Sequence, residues 1–211
     1  MPDPSTLSLF AFAALVLLLT PGPAVLYIVA RSVEQGRTAG LVSTLGIHVG
    51  TLVHVGAAAL GLSALLVSSA LAFGVVKYLG AAYLVYLGVR KLTARGALDQ
   101  PLTLPPQPLR RVFWQGVVVN VLNPKTALFF LAFLPQFVDP DRGAVALQIL
   151  LLGGVFLALA LVSDGLWAIG AGTAGTWLKR NVVVLRAERY VTGSVFIGLG
   201  LTAALAGHGR K

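Results

Sequence analysis

The first long apolar stretch of the chain, LSLFAFAALVLLLTPGPAVLYIVAR (residues 7–31), contains Thr20-Pro21-Gly22-Pro23 near its centre. Proline has no backbone N–H and its ring clashes with the preceding turn, so two prolines and a glycine interrupt a helix at this point. In lipid, every unsatisfied backbone group costs several kcal/mol. The stretch therefore predicts a broken membrane helix whose freed backbone groups are buried in protein or line a watery cavity.

The composition is typical of an integral membrane protein. Of 211 residues, 57% are hydrophobic and 11% are charged, with a mean hydropathy of +0.87, whereas soluble proteins average about 25% charged residues. The net charge of +9 lies in short clusters between apolar runs, which indicates membrane topology and no nucleic-acid partner. The absence of cysteine excludes disulfides, thiolate metal sites and a thiol relay.

Six stretches are long and apolar enough to cross a bilayer as helices of about 20 residues. They are Leu7–Ala30, Leu41–Leu66, Ala70–Val89, Phe113–Val138, Val145–Ala171 and Ala187–Ala206. We predict an all-α polytopic membrane protein with one transporter domain over residues 1–211. Its proline-rich linker (93–112) joins a first repeat (7–92) to a second (113–206).

Lys and Arg are concentrated in the first, third and fifth loops. Basic residues favour cytoplasmic loops. This distribution predicts that the odd-numbered loops face the cytoplasm and that both termini lie outside.

The two halves resemble each other in sequence. KYLGAAYLVYLG (77–88) aligns with RYVTGSVFIGLG (189–200), and TPGPAVLY (20–27) aligns with NPKTALFF (123–130). Three helices per half place the second copy upside down relative to the first. Interrupted helices at matching positions of inverted repeats indicate a transporter's substrate site. The alternative is a pair of ordinary proline kinks whose backbone groups are satisfied by neighbouring helices.

Asp164 is the one carboxylate well inside a predicted span, and Lys125 follows Asn123-Pro124 inside the fourth span. A charge at the bilayer centre costs at least ~2.5–3.5 kcal/mol, so its default interpretation is functional. Asp164 is a candidate to hold a substrate ammonium or to carry a proton, the alternative being an interhelical hydrogen bond or salt bridge. Lys125 is a candidate partner for a substrate carboxylate, the alternatives being a snorkelling lysine or an ion pair with Asp164.

The second span carries a polar stripe. Thr44, His48 and Thr51 share one helix face, and His54 points about 100° away. Because imidazole titrates near neutral pH, His48 is a candidate proton relay together with Asp164. The alternative is a hydrogen-bonded interior histidine.

Several motifs in order resemble the LysE/RhtB family of bacterial amino-acid exporters: TPGPAVLYIVARSVEQGRTAGLVSTLGIHVG, VKYLGAAYLVYLGVRKL, FWQGVVVNVLNPKTALFFLAFLPQFV and SDGLWAIGAG. The resemblance covers residues 8–205 and is greatest to the RhtB-like branch. It implies a multi-pass protein of the cytoplasmic membrane, driven by the proton motive force and assembled as a homodimer. The family's motif positions fall on Thr20, Pro21, Gly22, Pro23, Asn123, Pro124, Lys125 and Asp164.

The predicted function is export of neutral amino acids such as homoserine, threonine or leucine, or their derivatives, without a cofactor or bound metal. A rival is an intramembrane enzyme with His48, His54 and Asp164 as acid–base groups, but no Gly-x-Ser-x-Gly or His-Glu-x-x-His motif supplies a nucleophile or a metal. Other rivals are a scaffold subunit and an exporter of metal ions or other metabolites from the same superfamily.

Overall fold

The computed structural model describes residues 2–68 and 106–179, together with single helical positions within 75–93 and 190–201. The predicted third and sixth spans, most of the linker and the paired motifs at 77–88 and 189–200 lie outside the described ranges or are described only at isolated positions. The main helices are α1 (Pro4–Leu19), α2 (Pro23–Gln35), α3 (Arg37–Ser68), α4 (Leu109–Val121), α5 (Pro124–Leu128) and α6 (Val145–Lys179).

After α5 the chain continues through a π-helical turn, Phe129–Phe133, and a 3-10 turn, Leu134–Phe137. A second 3-10 turn, Pro140–Arg142, precedes α6. The residues that the structure describes contain no β-strand.

Two of the predicted spans are broken. The axes of α1 and α2 differ by 49°, and those of α4 and the segment Pro124–Phe137 differ by 45°. Within α3 and α6, Arg37–Gly61 and Val145–Ala174 are each long and apolar enough to cross a membrane unbroken. If each bent pair is one span, the described residues supply up to four crossings. The prediction of an all-α polytopic membrane protein is confirmed.

The described helices extend beyond most of the predicted span ends, and two of these differences bear on the site. Helix α4 begins at Leu109, with Pro108 as its N-cap residue, four residues before the predicted Phe113. Helix α6 continues to Lys179, beyond the predicted Ala171. Asp164 therefore lies about 22 Å from the end of its helix at 1.5 Å per residue, whereas the predicted end at Ala171 is only seven residues, or about two turns, beyond it.

The ends of α1 and α2 follow standard capping chemistry. Asp3 caps α1 by accepting a hydrogen bond from the Thr6 N–H at 2.8 Å. Hydrogen bonds from the Ser5 hydroxyl and from Thr6 hold the pKa of Asp3 well below its usual range. Gly36 ends α2 with φ 84°, a left-handed conformation that favours glycine. Helix α3 begins at the next residue, so α2 and α3 share a one-residue link.

Glycines bring α3 and α4 into backbone contact. A Cβ atom on Gly46 would lie 2.1 Å from the Phe113 carbonyl oxygen, and one on Gly116 would lie 2.8 Å from the Ser43 carbonyl oxygen. Small residues allow such close approach in membrane helices. The Gly46-x-x-x-Gly50 motif therefore forms the α3–α4 packing surface.

Buried aromatic rings pack α1, the π-helical turn and α6 together. The Phe129 ring centroid lies 4.9 Å from that of Phe156 on α6 and 5.7 Å from that of Phe10 on α1. We call this group the aromatic cluster, and its members are Phe10, Phe129, Phe130, Phe133, Phe137 and Phe156. Five of its six rings are buried, and Phe137 packs against them as a partly buried residue. The aromatic cluster is part of the larger apolar core of the described residues.

Candidate functional site

The two helix breaks meet at a cavity of about 30 Å³ inside the bundle. At roughly 10–15 Å³ per water, it has room for about two water molecules. Helices α1 to α6 all contribute to its walls. The polar side chains in its lining are Thr51, Asn120, Asn123, Lys125, Thr126 and Asp164. The structure thus brings the two predicted breaks and both predicted charged residues to one place.

Lys125 bonds to the first break. Its ammonium donates to the Leu17 carbonyl at 2.6 Å and to the Thr20 carbonyl. In an unbroken helix the Leu17 carbonyl would accept from residue 21, which is a proline and has no N–H. Lys125 is only 7% exposed, so these bonds lie in a low-dielectric interior. A lysine from the second half therefore satisfies carbonyls that the break in the first half leaves open.

Gly22 makes room for this lysine. A Cβ atom at Gly22 would lie 2.8 Å from Cδ of Lys125 and 3.4 Å from its Nζ. The backbone does not require a glycine here, because a φ of −140° is extended backbone that any residue adopts. The glycine of the Pro-Gly-Pro motif is therefore required for the close approach of the lysine side chain.

His54 plays the corresponding part at the second break. In an unbroken helix the Asn120 carbonyl would accept a hydrogen bond from the N–H of residue 124, which is again a proline and has none. It accepts instead from the Asn123 N–H at 3.0 Å and from Nε2 of His54 at 2.8 Å. Because a carbonyl only accepts, Nε2 carries the proton. The His54 ring also stacks on Phe130, with centroids 6.4 Å apart. Each break is thus completed by a donor from the other half of the chain.

A hydrogen-bonded group of amide and hydroxyl side chains forms one wall of the cavity. Asn120, 1% exposed, donates to the Ile47 carbonyl and to the Thr51 hydroxyl, both at 2.8 Å. Its oxygen accepts from Thr126 at 3.0 Å and from Asn123 at 3.2 Å. We call Thr51, Asn120, Asn123 and Thr126 the amide cluster. Because most of its donors and acceptors are engaged with each other, the cluster fixes this wall.

Asp164 lies on another wall of the same cavity. It is 4% exposed and projects from α6. The positive charge of Lys125 acts on it. The cavity thus contains one acidic side chain, Asp164, and one basic side chain, Lys125. Both lie near the N-terminus of α2, because Ala24 and Val25 of that helix also line the cavity.

The remaining predicted site residues lie differently. The Thr20 hydroxyl bonds to the Val16 carbonyl of its own helix at 2.7 Å, and Thr20, Pro21, Pro23 and Pro124 act through the backbone rather than as lining side chains. His48 bonds through Nδ1 to the Thr44 carbonyl at 2.6 Å and is also outside the cavity lining.

Asn120, Thr126 and His54 were not predicted in these roles from the sequence. Asn120 could have been found, because a buried amide in the middle of an apolar span needs partners for the same reason as Asp164. His54 gave a weaker signal: the proline at 124 shows that a donor is required, but not which helix provides it.

Comparison with known proteins places the chain in a family. The model of the LysE-type translocators matches residues 15–207. A homoserine/homoserine lactone efflux protein of Salmonella typhimurium is 31% identical over 199 residues, covering 94% of this chain and 96% of that protein. Uncharacterized membrane proteins are 31% identical in Vibrio cholerae, covering 93% and 95%, and 30% identical in Bacillus subtilis, covering 96% and 99%. No solved structure gives a significant match.

Helices that cross a membrane, two of them broken around a charged interior cavity, define a multi-pass membrane protein with the architecture of a transporter. The chain belongs to the LysE-type translocator family. The resemblance seen in the sequence is confirmed.

Proposed function

We propose that the protein exports neutral amino acids, such as homoserine, threonine or leucine, or their derivatives, from the bacterial cytoplasm across the inner membrane. The observation that carries the proposal is the presence of Lys125 and Asp164 in one buried cavity at the two breaks. One acid and one base complement a zwitterion, whereas a dicationic substrate would require further buried carboxylates. The name of the Salmonella typhimurium relative supports the same substrate class.

In the proposed mechanism the substrate carboxylate takes a place at the Lys125 ammonium or at the open amides of the α2 N-terminus. The substrate ammonium meets the carboxylate of Asp164. A proton arriving from outside then neutralises Asp164 and removes the charge that holds the ammonium, so the substrate leaves. Loss of that proton to the cytoplasm resets the carrier. His48 is a second candidate for carrying the proton. It lies on α3 and does not line the cavity.

The proposed architecture has six transmembrane helices in two inverted three-helix repeats, residues 7–92 and 113–206, joined by the linker 93–112. Both termini lie outside, and two copies form a homodimer. The equivalent completion of the two breaks, by Lys125 at one and His54 at the other, supports the repeat.

The decisive experiment is efflux from proteoliposomes preloaded with labelled homoserine, threonine, leucine or lysine, with and without an imposed proton gradient. We expect gradient-dependent efflux of a neutral amino acid that Asp164→Asn abolishes. Asp141→Asn is the matched control, because Asp141 is an exposed acid remote from the cavity. If none of the four compounds moves faster than from empty vesicles, the amino-acid assignment is wrong. If Asp164→Asn transports normally, Asp164 is structural.

A further inference from the structure

A second polar group joins α2 to α4 beyond the cavity. Its members on α2 are Tyr27, Arg31 and Gln35, spaced four residues apart and so on one helix face. The Tyr27 hydroxyl donates to the Val112 carbonyl of α4 at 2.8 Å, and the side chains of all three contact Gln115 on α4 or Gln107, which precedes α4. We call Tyr27, Arg31, Gln35, Gln107 and Gln115 the polar ladder. Tyr27 contacts Gln115 and Gln35 contacts Gln107, so α2 and the segment that contains Gln107 and α4 run antiparallel to each other.

Gln115 is the residue of α4 that contacts the ladder in both directions. Its Oε1 lies 3.2 Å from the Tyr27 hydroxyl and accepts from Nη2 of Arg31 at 2.8 Å. Its Nε2 donates to Oε1 of Gln107 at 3.4 Å. Gln35 completes the ladder by accepting from Nη1 of Arg31 at 3.0 Å and from the Gln107 N–H at 3.1 Å.

The ladder lies between the cavity and one end of the bundle. Val25 and Asn120 line the cavity. The first ladder residue on α2, Tyr27, is two residues after Val25, and Gln115 on α4 is five residues before Asn120. A small apolar cluster of Ile28, Ile47 and Ala168 packs beside it. Separation of α2 from α4 along this seam would connect the cavity with the solvent at the end that carries Gln35 and Gln107.

The chemistry of the ladder suits a seam that opens. Arg31 is 2% exposed, and two of its hydrogen bonds go to the neutral amide oxygens of Gln35 and Gln115, which water or a passing carboxylate can replace. On another side the cavity adjoins the aromatic cluster through Phe156, which lines it and packs on Phe129, and separation there exposes rings to water with no replacement interaction. Opening along the ladder is therefore the easier of the two.

We propose that the polar ladder is the gate of the cavity on the side of Gln35 and Gln107, and that Gln115 is the positioning residue that holds it closed. On the predicted topology this side faces the cytoplasm, so the gate admits the substrate. The inference rests on the proposed function in one respect, that the cavity is the transport site. A cavity with room for about two waters has to open before any amino acid enters.

The chain contains no cysteine, so a single introduced thiol reports on the cavity. Ala160→Cys places it in the cavity lining, where Ala160 is 2% exposed. The measured quantity is its rate of reaction with a charged, membrane-impermeant methanethiosulfonate, added to inside-out or right-side-out vesicles. No substrate is needed for this measurement.

Gln115→Ala is expected to raise the labelling rate from the cytoplasmic face about tenfold. Gln115→Glu is expected to lower it, since a carboxylate holds Arg31 more strongly than an amide does. Tyr27→Phe removes a single hydroxyl with little risk to folding, and a severalfold increase is expected. Gln136→Ala is the matched control, because Gln136 bonds only locally to the Ala132 carbonyl at 3.2 Å.

The gate is refuted if all three ladder variants label at the unmodified rate, if Gln136→Ala accelerates labelling equally, or if acceleration occurs from the external face alone. Failure of the proposed function gives a different pattern: labelling responds to the ladder variants while no tested amino acid is exported. A normal amino-acid efflux with unresponsive labelling removes the gate and leaves the proposed function intact.

Discussion

Replacing Lys125 with methionine tests whether the lysine ammonium completes the first helix break. Methionine keeps an apolar stem over Gly22 and removes the ammonium. Two hydrogen bonds from a charged donor are lost, each contributing about 1.5–3 kcal/mol. The Leu17 carbonyl keeps the Thr20 N–H at 3.2 Å, which reduces the loss at that atom.

The same substitution leaves Asp164 without the positive charge that acts on it. From the two lost hydrogen bonds, partly offset at Leu17, we expect Lys125→Met to destabilise the protein by about 3–5 kcal/mol. In a chain of this size that lowers Tm by roughly 10 °C, at about 2–4 °C per kcal/mol. The assay is thermal unfolding in detergent micelles, followed by tryptophan fluorescence and circular dichroism.

The control is Arg110→Met, which removes an exposed cation and is expected to change stability by less than about 0.5 kcal/mol. The double variant Lys125→Met/Asp164→Asn completes a thermodynamic cycle. We expect it to be more stable than the sum of the single effects predicts, by about 1 kcal/mol or more. Equal Tm values for Lys125→Met and Arg110→Met would refute the role of the lysine at the break, and strict additivity would refute its coupling to Asp164.

Three further substitutions test the packing around the site. His54→Ala removes one hydrogen bond and one ring contact, and is expected to cost about 1–3 kcal/mol in the same unfolding assay. Gly46→Ala places a methyl group against the α4 backbone and is expected to cost about 1–3 kcal/mol, whereas Gly56→Ala on the same helix meets no atom within 4 Å and is expected to stabilise by up to ~1 kcal/mol. Gly22→Ala is expected to lower the free energy of unfolding because the new methyl group collides with the Lys125 side chain. The loss should therefore be smaller in a Lys125→Ala background than in the unmodified protein.

Each of these expectations has a contrary result. Unchanged stability in His54→Ala would mean that the second break is satisfied without the imidazole. Similar effects of alanine at Gly46 and Gly56 would contradict the close α3–α4 contact. A cost of Gly22→Ala that persists without the lysine side chain would place the constraint in the backbone of the break.

The breaks and the charged pair were predictable from the sequence because their signals are local. A proline removes a hydrogen bond wherever the helix is placed, and a carboxylate in lipid needs an explanation regardless of its neighbours. The predicted interruptions at Pro21 and Pro124 and the joint location of Lys125 and Asp164 rest on such signals.

The partners of these groups were not predictable, since they depend on helix rotation. Helices α3 and α6 are hydrophobic on all sides, so periodicity does not indicate which face is turned inward. Of the predicted stripe on α3, Thr51 joins the amide cluster, whereas His48 bonds to the backbone of its own helix. Gln115 likewise gave no signal as a sequence position, because its partners become evident only when α2 and α4 lie side by side.

The reciprocal completion of the two breaks has a consequence for biosynthesis. Lys125 lies 108 residues after Leu17, so the first span leaves the ribosome long before its lysine has been made. Until then the Leu17 carbonyl has the Thr20 N–H of its own span, whereas the Thr20 carbonyl depends on water or on the insertion machinery. The second break needs His54, which has already been made when Asn120 emerges. The first span therefore reaches its final conformation only after the fourth has entered the membrane, and a first half produced alone lacks the donor that completes it.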